Sequence, residues 1–167
     1  MIMMRALFLS ALLFLSACGF SPLYGTHGDN AVKYHFASVF IGNIPDHEGL
    51  YLRNALIDRL YSHGRPAAPQ YRLEIAKITT LKQDLDITKS SSATRAQLRL
   101  STKITLYDAK TEEVLLNRNL LAMTSYNILQ SQFTTRVSED DAQRSALDDL
   151  ARQIEQQLAL YFGRSGT

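Results

Sequence analysis

The residue with the greatest chemical reactivity is Cys18, the only cysteine in this chain of 167 residues. It stands directly after Leu15-Ser16-Ala17, at the end of an apolar run that begins at Ala6. Arg5 precedes the run as a sparse positive charge. A basic start, a short apolar stretch and small residues at its end form the layout of a secretory signal peptide. The sequence therefore predicts that the chain is exported.

The residues Leu15-Ser16-Ala17-Cys18 also resemble the lipobox of bacterial lipoproteins. In that family the thiol is joined to diacylglycerol, the peptide is cut before the cysteine, and the new amine is acylated. The resemblance implies a lipidation site at Cys18, with a covalent diacylglycerol and an N-acyl chain such as palmitate and no other cofactor. It also implies that residues 1–17 are a lipoprotein signal peptide that lies outside the fold.

Acyl chains on Cys18 would anchor the protein to a membrane. Each buried CH₂ contributes about 0.8 kcal/mol, and a single chain holds a protein only marginally. The three chains that the resemblance implies would hold it effectively permanently. In the lipoprotein family an Asp after the cysteine commonly retains the protein in the inner membrane. Gly19 at this position favours the periplasmic face of the outer membrane.

The apolar N-terminal segment is also compatible, to different degrees, with three other structures. A transmembrane helix needs about 20 apolar residues, and this run is clearly shorter. A buried core helix rarely lies at the extreme N-terminus behind a single Arg. A secreted protein with an incidental cysteine is the main alternative, and the sequence leaves it open.

The length of the mature chain is sufficient for one domain with a core. Removing residues 1–17 from 167 leaves 150 residues, and the apolar and charged fractions are ordinary for a globular protein. Residues 18–31 carry turn-forming residues without periodicity, so we expect the lipidated Cys and a tether there, followed by a single α+β domain at 32–167. With Cys18 acylated, no disulfide can form, and stability must come from packing alone.

Hydrophobic periodicity predicts six elements in the order β-α-β-β-β-α. They are a strand at 32–41, a helix at 47–62, an extended segment at 71–87 with a bulge near 77–78, a strand at 96–106, a strand at 114–129, and a helix at 138–162. A loop is expected at 88–94 and a turn at 107–111. The fold class is therefore α+β, with two helices packed on one face of a four-stranded, largely antiparallel sheet.

Local signals suggest how these elements begin and where they lie. Asp46 can cap the first helix, and Ser138-Glu139-Asp140-Asp141 resembles a capping box for the second. The paired acids Asp140-Asp141 and Asp148-Asp149 would complement the dipole of that helix or form a solvated helical face. The last strand is mostly apolar, which is consistent with a central position or with cover on both faces.

The sequence carries weak signals for catalysis. G-x-S-x-G, a phosphate-cradling glycine loop and H-E-x-x-H are all absent. The four histidines are scattered, without ligand spacing on a shared face (His27, His35, His47, His63). We therefore expect neither an enzyme nor a metal site, although a small periplasmic hydrolase stays open as an alternative function.

The central segment is basic, and its cations follow a pattern. Residues 77–110 contain seven Lys or Arg and three Asp, whereas residues 138–155 contain six acids and two bases. Arg95, Arg99 and Lys103 share one face of the predicted strand, and successive cations lie about 13 Å apart. Lys82 and Lys89 could lie close to them across the hairpin. Such cations suit phosphates, and export excludes nucleic acid, so an anionic lipid head group is the expected ligand. An ordinary solvated strand face is the alternative.

The residues after the lipobox point to a family. Cys18 to Gly25 read CGFSPLYG, which resembles the CGF-x-PLYG start of the LptE family of lipopolysaccharide-assembly lipoproteins. The small size, the single lipidated cysteine and the element order are also similar to that family. The quoted motif covers eight residues, and the agreement in element order extends the similarity over the whole chain. The family has no catalytic residues to transfer.

The resemblance implies a specific role at the outer membrane. Members of the LptE family sit in the lumen of LptD, an outer-membrane β-barrel, where they act as a plug, assist barrel assembly and help deliver lipopolysaccharide to the outer leaflet. The implied partners are thus an LptD-like barrel and lipopolysaccharide. A free-standing lipid-binding lipoprotein without a barrel partner is the other function that the sequence allows.

Overall fold

A mixed sheet of five strands, β1 to β5, is the centre of the domain. The computed structural model describes residues 34–61, 64–87 and 93–165, with side chains described at 34–61, 64–85 and 94–164. The sheet contains β1 Val39–Ile41, β2 Tyr71–Ile75, β3 Thr79–Ile87, β4 Ala93–Asp108 and β5 Val114–Asn127. Strand β1 is parallel to β2, and every other pairing is antiparallel. The predicted α+β class with a largely antiparallel sheet is confirmed.

Strands β2 and β3 lie end to end along the same side of β4, which accounts for five strands where four were predicted. Ile75 pairs with Ile104 and Thr79 pairs with Ser101. The chain therefore advances by four residues from Ile75 to Thr79 while β4 advances by only three. The extra residue changes the facing, because Ile75 and then Ile78 are both buried. The bulge predicted near residues 77–78 is therefore present and divides one extended segment into two strands.

Strand β1 is much shorter than the predicted 32–41. Residues 34–36 form a helical turn instead. Ser38 closes this turn, since its backbone N–H and its hydroxyl both donate to the carbonyl oxygen of His35, at 3.0 and 2.7 Å. The ring of His35 stacks on Phe162 with the centroids 4.9 Å apart. These contacts outweigh the β propensity of the Val32–Ile41 segment.

Two helices cover one face of the sheet, as predicted. Helix α1 comprises Asp46–Leu60 and helix α2 comprises Gln132–Ser165. They run parallel, because Gln143 donates to Glu48 at 2.9 Å, Tyr51 to Asp148 at 3.3 Å and Arg59 to Glu155 at 3.4 Å. Their apolar stripes meet the inward residues of β4, so the core forms between the helices and one sheet face.

The start of α1 differs from the expectation that Asp46 caps it. Pro45 occupies the N-cap position without a side-chain cap hydrogen bond. Asp46 has a φ of 68°, a left-handed conformation that Asp tolerates better than most residues. Its carboxylate accepts from Lys77 Nζ at 2.8 Å. The carboxylate therefore pairs with a neighbouring loop and is not used as a cap.

Helix α2 begins six residues before the predicted capping box. The hydroxyl of Ser131 accepts from the backbone N–H of Thr134 at 3.4 Å, and Thr135 N–H donates to the Ser131 carbonyl at 3.0 Å. Ser138 and the acids after it consequently lie inside the helix, and its first turn contains no acid. The prediction of a cap at Ser138, and of dipole compensation by the paired acids in the first turn, is wrong.

Strand β5 is an edge strand and not a central one. It pairs with β4 alone among the described strands. One face packs against α2 through buried side chains that include Leu120 and Tyr126, but Leu121 and Met123 on the other face are exposed. The prediction of a central or doubly covered strand is wrong, because the apolar run places residues on an open face.

The β4–β5 turn is fixed by Asp108, the last residue of β4. Its carboxylate accepts from the backbone N–H groups of Lys110 and Thr111, at 2.8 and 3.0 Å. Hydrogen bonding to these two N–H groups, first that of Thr111 and then that of Lys110, lowers the pKa of Asp108 below its usual value.

The other end of β4 extends into the predicted loop at 88–94. Residues 93 and 94 belong to the strand, and residues 88–92 lie outside the described part.

Gly49 gives a stability prediction with an unusual sign. A Cβ at this buried position would lie 2.6 Å from the Ile44 carbonyl oxygen, whereas one at Gly163 would meet nothing within 4 Å. Alanine normally stabilises a helix relative to glycine. We expect Gly49→Ala to lower the free energy of unfolding by about 1–3 kcal/mol through overpacking. Urea denaturation followed by circular dichroism measures the change.

Gly163→Ala is the matched control, since Gly163 also lies in a helix. We expect it to raise stability by about 0.5 kcal/mol through lower entropy of the unfolded chain. A stabilising Gly49→Ala would contradict the close contact between α1 and Ile44.

Candidate functional site

The face of β4 that points away from the helices carries the predicted cations. Ala96, Leu98 and Leu100 are buried on the helix side. Arg95, Arg99 and Lys103 lie on the opposite side and are exposed. The predicted alternation is therefore correct, and the structure brings these three residues together on the uncovered sheet face. We call this surface the open face, defined by the outward residues of β3, β4 and β5.

Apolar side chains flank the central cation of the open face. In the register of the sheet, Arg99 lies between Leu81 of β3 and Met123 of β5, and Leu121 pairs with the neighbouring Ser101. Leu81 is 55% exposed, Leu121 44% and Met123 56%. Directly opposed residues on paired strands have Cβ atoms about 5 Å apart. The open face thus combines separated positive charges with exposed apolar side chains.

The neighbours of the three cations within the sheet differ from one cation to the next. Arg95 donates to the Ser125 hydroxyl at 2.9 Å, a neutral partner. Lys103 pairs in register with Asn119, which is also neutral. Among the side chains that the structure describes, no ion pair involves Arg95, Arg99 or Lys103. In the register of the sheet, Arg99 and Lys103 have no acidic residue among their described partners on β3 and β5, whereas Asp86 lies opposite Arg95.

Arg72, at the far end of the same face, behaves differently. Its guanidinium pairs with Glu74 and Glu112, and its carbon atom Cζ lies 4.6 Å from the centroid of the Tyr107 ring. Hydrogen bonding to Glu112 is the main cause that raises the pKa of Arg72. The charge of Arg72 is compensated within the domain by Glu74 and Glu112, so the positive region of the open face ends at Lys103.

Lys82 does not join this region, contrary to the expectation. It pairs in register with Leu98, whose side chain is on the helix side, so Lys82 points towards α2. Its Nζ lies 3.2 Å from Glu139 Oε2 and 5.3 Å from the centroid of the Tyr126 ring. The bulge between β2 and β3 shifts the facing of β3 by one residue, which brings Leu81 to the open face in place of Lys82.

Other predicted positions lie outside the described residues. Lys89, Cys18, His27 and His63 belong to this group, and so does the 18–31 tether. Within the described ranges, no group of three or more His, Cys, Asp or Glu side chains could hold a metal ion. No helix in those ranges has both the length and the hydropathy that crossing a bilayer requires.

Sequence reasoning missed the apolar half of the open face. The signal for Leu121 and Met123 was the unbroken run Leu120-Leu121-Ala122-Met123, since a strand with apolar residues in succession exposes or buries them on both faces. The signal for Leu81 was the change of phase at the bulge, because the same change reverses which residues of β3 face each side of the sheet. Both signals were visible but gave no indication of which face stays open.

The open face combines chemical groups that suit a molecule both anionic and apolar. Guanidinium and ammonium groups pair strongly with phosphates, and Arg does so with two parallel hydrogen bonds. Exposed apolar residues that cluster together are typical of an interaction site. Spacing of about 13 Å between successive cations would contact separated phosphates, while Leu81, Leu121 and Met123 would contact acyl chains.

Solved structures share this architecture. A protein from Caulobacter crescentus CB15 described as a candidate lipoprotein matches with a TM-score of 0.63 and 22% identity, covering 80% of this chain and 96% of its own. A minor lipoprotein from Acinetobacter baumannii matches with a TM-score of 0.60 and 25% identity, covering 74% and 92%. Rare lipoprotein B from Shewanella oneidensis matches with a TM-score of 0.61 and 9% identity, covering 78% and 98%. No functionally curated protein matches the sequence.

Two parallel helices on one side of a largely antiparallel sheet place the domain in the α+β class, with the fold of the solved structures just described. The family model described as LptE, lipopolysaccharide-assembly, matches residues 36–158. This match spans most of the chain and nearly all of the described domain. The chain therefore belongs to the LptE family.

Proposed function

We propose that the protein is an outer-membrane lipoprotein, acylated at Cys18, that plugs an LptD-like β-barrel, assists its assembly and helps deliver lipopolysaccharide to the outer leaflet. Membership of the LptE family supports the role in lipopolysaccharide assembly. The lipobox-like residues before Cys18 support the anchor. The partner, the outer membrane and the periplasmic orientation are parts of the proposal.

The open face is the observation that carries the lipopolysaccharide contact. Lipopolysaccharide presents phosphates beside acyl chains, and the open face presents Arg95, Arg99 and Lys103 beside Leu81, Leu121 and Met123. An ordinary solvated sheet face has no need for two large apolar residues that flank a cation and a third beside them. The match in chemistry on both counts favours binding over a purely solvated surface.

The helix layer supports the role of a plug. Three hydrogen bonds between polar side chains connect α1 to α2 along their length, from Glu48 to Glu155. Helix α2 has 34 residues and so spans about 51 Å, more than the thickness of a membrane's apolar core. Large outer-membrane barrels have room for a plug in the lumen. A rigid body of this length can fill such a space without disulfides.

Catalysis is not part of the proposal. The reason is the family to which the chain belongs, which acts in lipopolysaccharide assembly. The protein would act by occupying space, by contacting a barrel and by binding lipid.

Co-purification from membranes tests the proposed barrel partner. We expect the tagged full-length protein, extracted in mild detergent, to elute with a large β-barrel in a fixed ratio. Leu50→Arg probes the helix layer in the same experiment, because Leu50 is exposed on α1 and a charge there should lower the yield of the complex if the lumen fits this layer tightly. Recovery of the protein without a barrel companion would leave the alternative, a free-standing lipid-binding lipoprotein that uses the same open face.

A further inference from the structure

A groove outside the open face has no place in the function described above. It lies between the start of β5 and the last turns of α2, with a volume of about 580 Å³. Val114 is 50% exposed and Leu160 is 40% exposed, so its two walls each present an apolar side chain to solvent. Its lining is completed by Leu115, Leu116, Asn117, Arg118, Gln157, Tyr161 and Arg164.

The shape of this groove suits an extended peptide. Five consecutive residues of β5 line it, and four residues spaced along α2 line the other side. Five residues of a strand extend for about 15 Å, which matches a peptide of similar length laid alongside. Farther along β5, Gln153 donates to the Leu121 carbonyl at 3.0 Å, so α2 closes over the strand edge there. The groove is the part of this junction that α2 leaves open.

The described domain begins close to the groove. Tyr161 lines the groove, and its ring centroid is 5.3 Å from that of Phe162. The ring of Phe162 stacks on His35, which follows Tyr34, the first described residue. The chain N-terminal to Tyr34 therefore leaves the domain within about two layers of side chains from the groove.

The N-terminal chain contains a segment that fits. Residues 20–24 read Phe-Ser-Pro-Leu-Tyr, with three large apolar or aromatic side chains in five positions. Proline favours extended backbone, both at its own position and at the residue before it. Nine residues lie between Tyr24 and Tyr34, and the ten Cα-to-Cα steps that join them reach up to about 35 Å. The segment can therefore reach the groove and lie along it.

We propose that Phe20–Tyr24 docks as an extended strand in the groove between β5 and α2 of its own chain. The lipid on Cys18 would then be held two residues from a fixed point on the domain, and the domain would have a defined orientation at the membrane. Docking of the segment does not depend on a barrel partner. A second copy of the protein fits the groove poorly, because two exposed apolar side chains fall far short of the roughly 800 Å² per partner that a stable interface buries.

Paired cysteines test this docking in the full-length, exported protein. Leu23→Cys is combined with Leu160→Cys on one wall or with Val114→Cys on the other, and mass spectrometry of unreduced peptides identifies the bonds. We expect an intramolecular disulfide in both pairs, since bonding requires Cα atoms within about 7 Å. The control is Leu23→Cys with Leu50→Cys, because Leu50 is exposed on α1, away from the groove.

The outcomes are distinct. Disulfides to positions 160 and 114 in clear excess over position 50 support the docking. Equal yields at all three positions, no intramolecular bond, or bonds between isotopically distinguished copies would overturn it. Circular dichroism verifies that each variant folds, and all three target positions are exposed. Failure here would leave the barrel and lipopolysaccharide proposals intact, since those are tested by co-purification and by ligand binding.

Discussion

Replacing Arg95, Arg99 and Lys103 together with serine is expected to weaken lipopolysaccharide binding by roughly a hundredfold and to leave the fold intact. Each exposed charged contact contributes about 1 kcal/mol, because solvent screens it, so three contacts correspond to about two decades in Kd. The three side chains are exposed and make no described ion pair, so their loss removes little from the folded state. Isothermal titration with purified lipopolysaccharide in detergent measures the change.

Lys82→Ser is the matched control for the triple variant. Lys82 belongs to the same basic segment but points to the helix side, where it pairs with Glu139. We expect its replacement to change the affinity by less than about twofold, and salt to weaken wild-type binding much more than binding by the triple variant. Unchanged affinity in the triple variant, or an equal loss in Lys82→Ser, would refute the assignment of binding to the open face.

Cys18→Ala is expected to abolish acylation completely, because it removes the thiol that would carry the diacylglycerol. The variant loses every acyl chain at once, and each chain contributes about 0.8 kcal/mol of membrane affinity per buried CH₂. Metabolic labelling with a fatty acid measures the acylation, and Ser21→Ala is a control three residues away that should be labelled like the wild type. Mass spectrometry of the wild-type N-terminal peptide should show the added lipid mass, and an unmodified mature Cys18 would rule out the anchor.

The sequence predicted those parts of the fold in which local pattern and burial agree. The alternation of β4, with Leu98 and Leu100 inward and Arg99 outward, followed directly from strand geometry. The bulge near residues 77–78 was also visible, because the phase of apolar residues changes there. Both features are determined by residues a few positions apart in the chain, so the sequence alone is sufficient to predict them.

Features set by tertiary contacts were not predictable in the same way. The helical turn at 34–36 is stabilised by the stacking of His35 on Phe162, which is 127 positions away in the chain. The early start of α2 depends on Ser131, a single cap that competed with the more conspicuous Ser138 motif. The position of β5 at an edge depends on which strands meet, and its apolar run suggested the opposite.

The candidate site was half predictable for the same reason. Arg95, Arg99 and Lys103 could be placed on one face from the pattern of a single strand. Lys82 was misplaced and Leu81 was missed because their facing depends on the register across the bulge. Leu121 and Met123 were missed because no local signal distinguishes a second buried face from an open one. Register between strands thus decides which chemistry the open face presents.

Photo-crosslinking to lipopolysaccharide tests the central claim most directly. A photoreactive amino acid replaces Met123 on the open face or Leu50 on the helix layer, two positions of nearly equal exposure at 56% and 55%. If the open face binds lipopolysaccharide, the adduct is several times more abundant at position 123 than at position 50. Equal adducts at the two positions, or more at position 50, would contradict it.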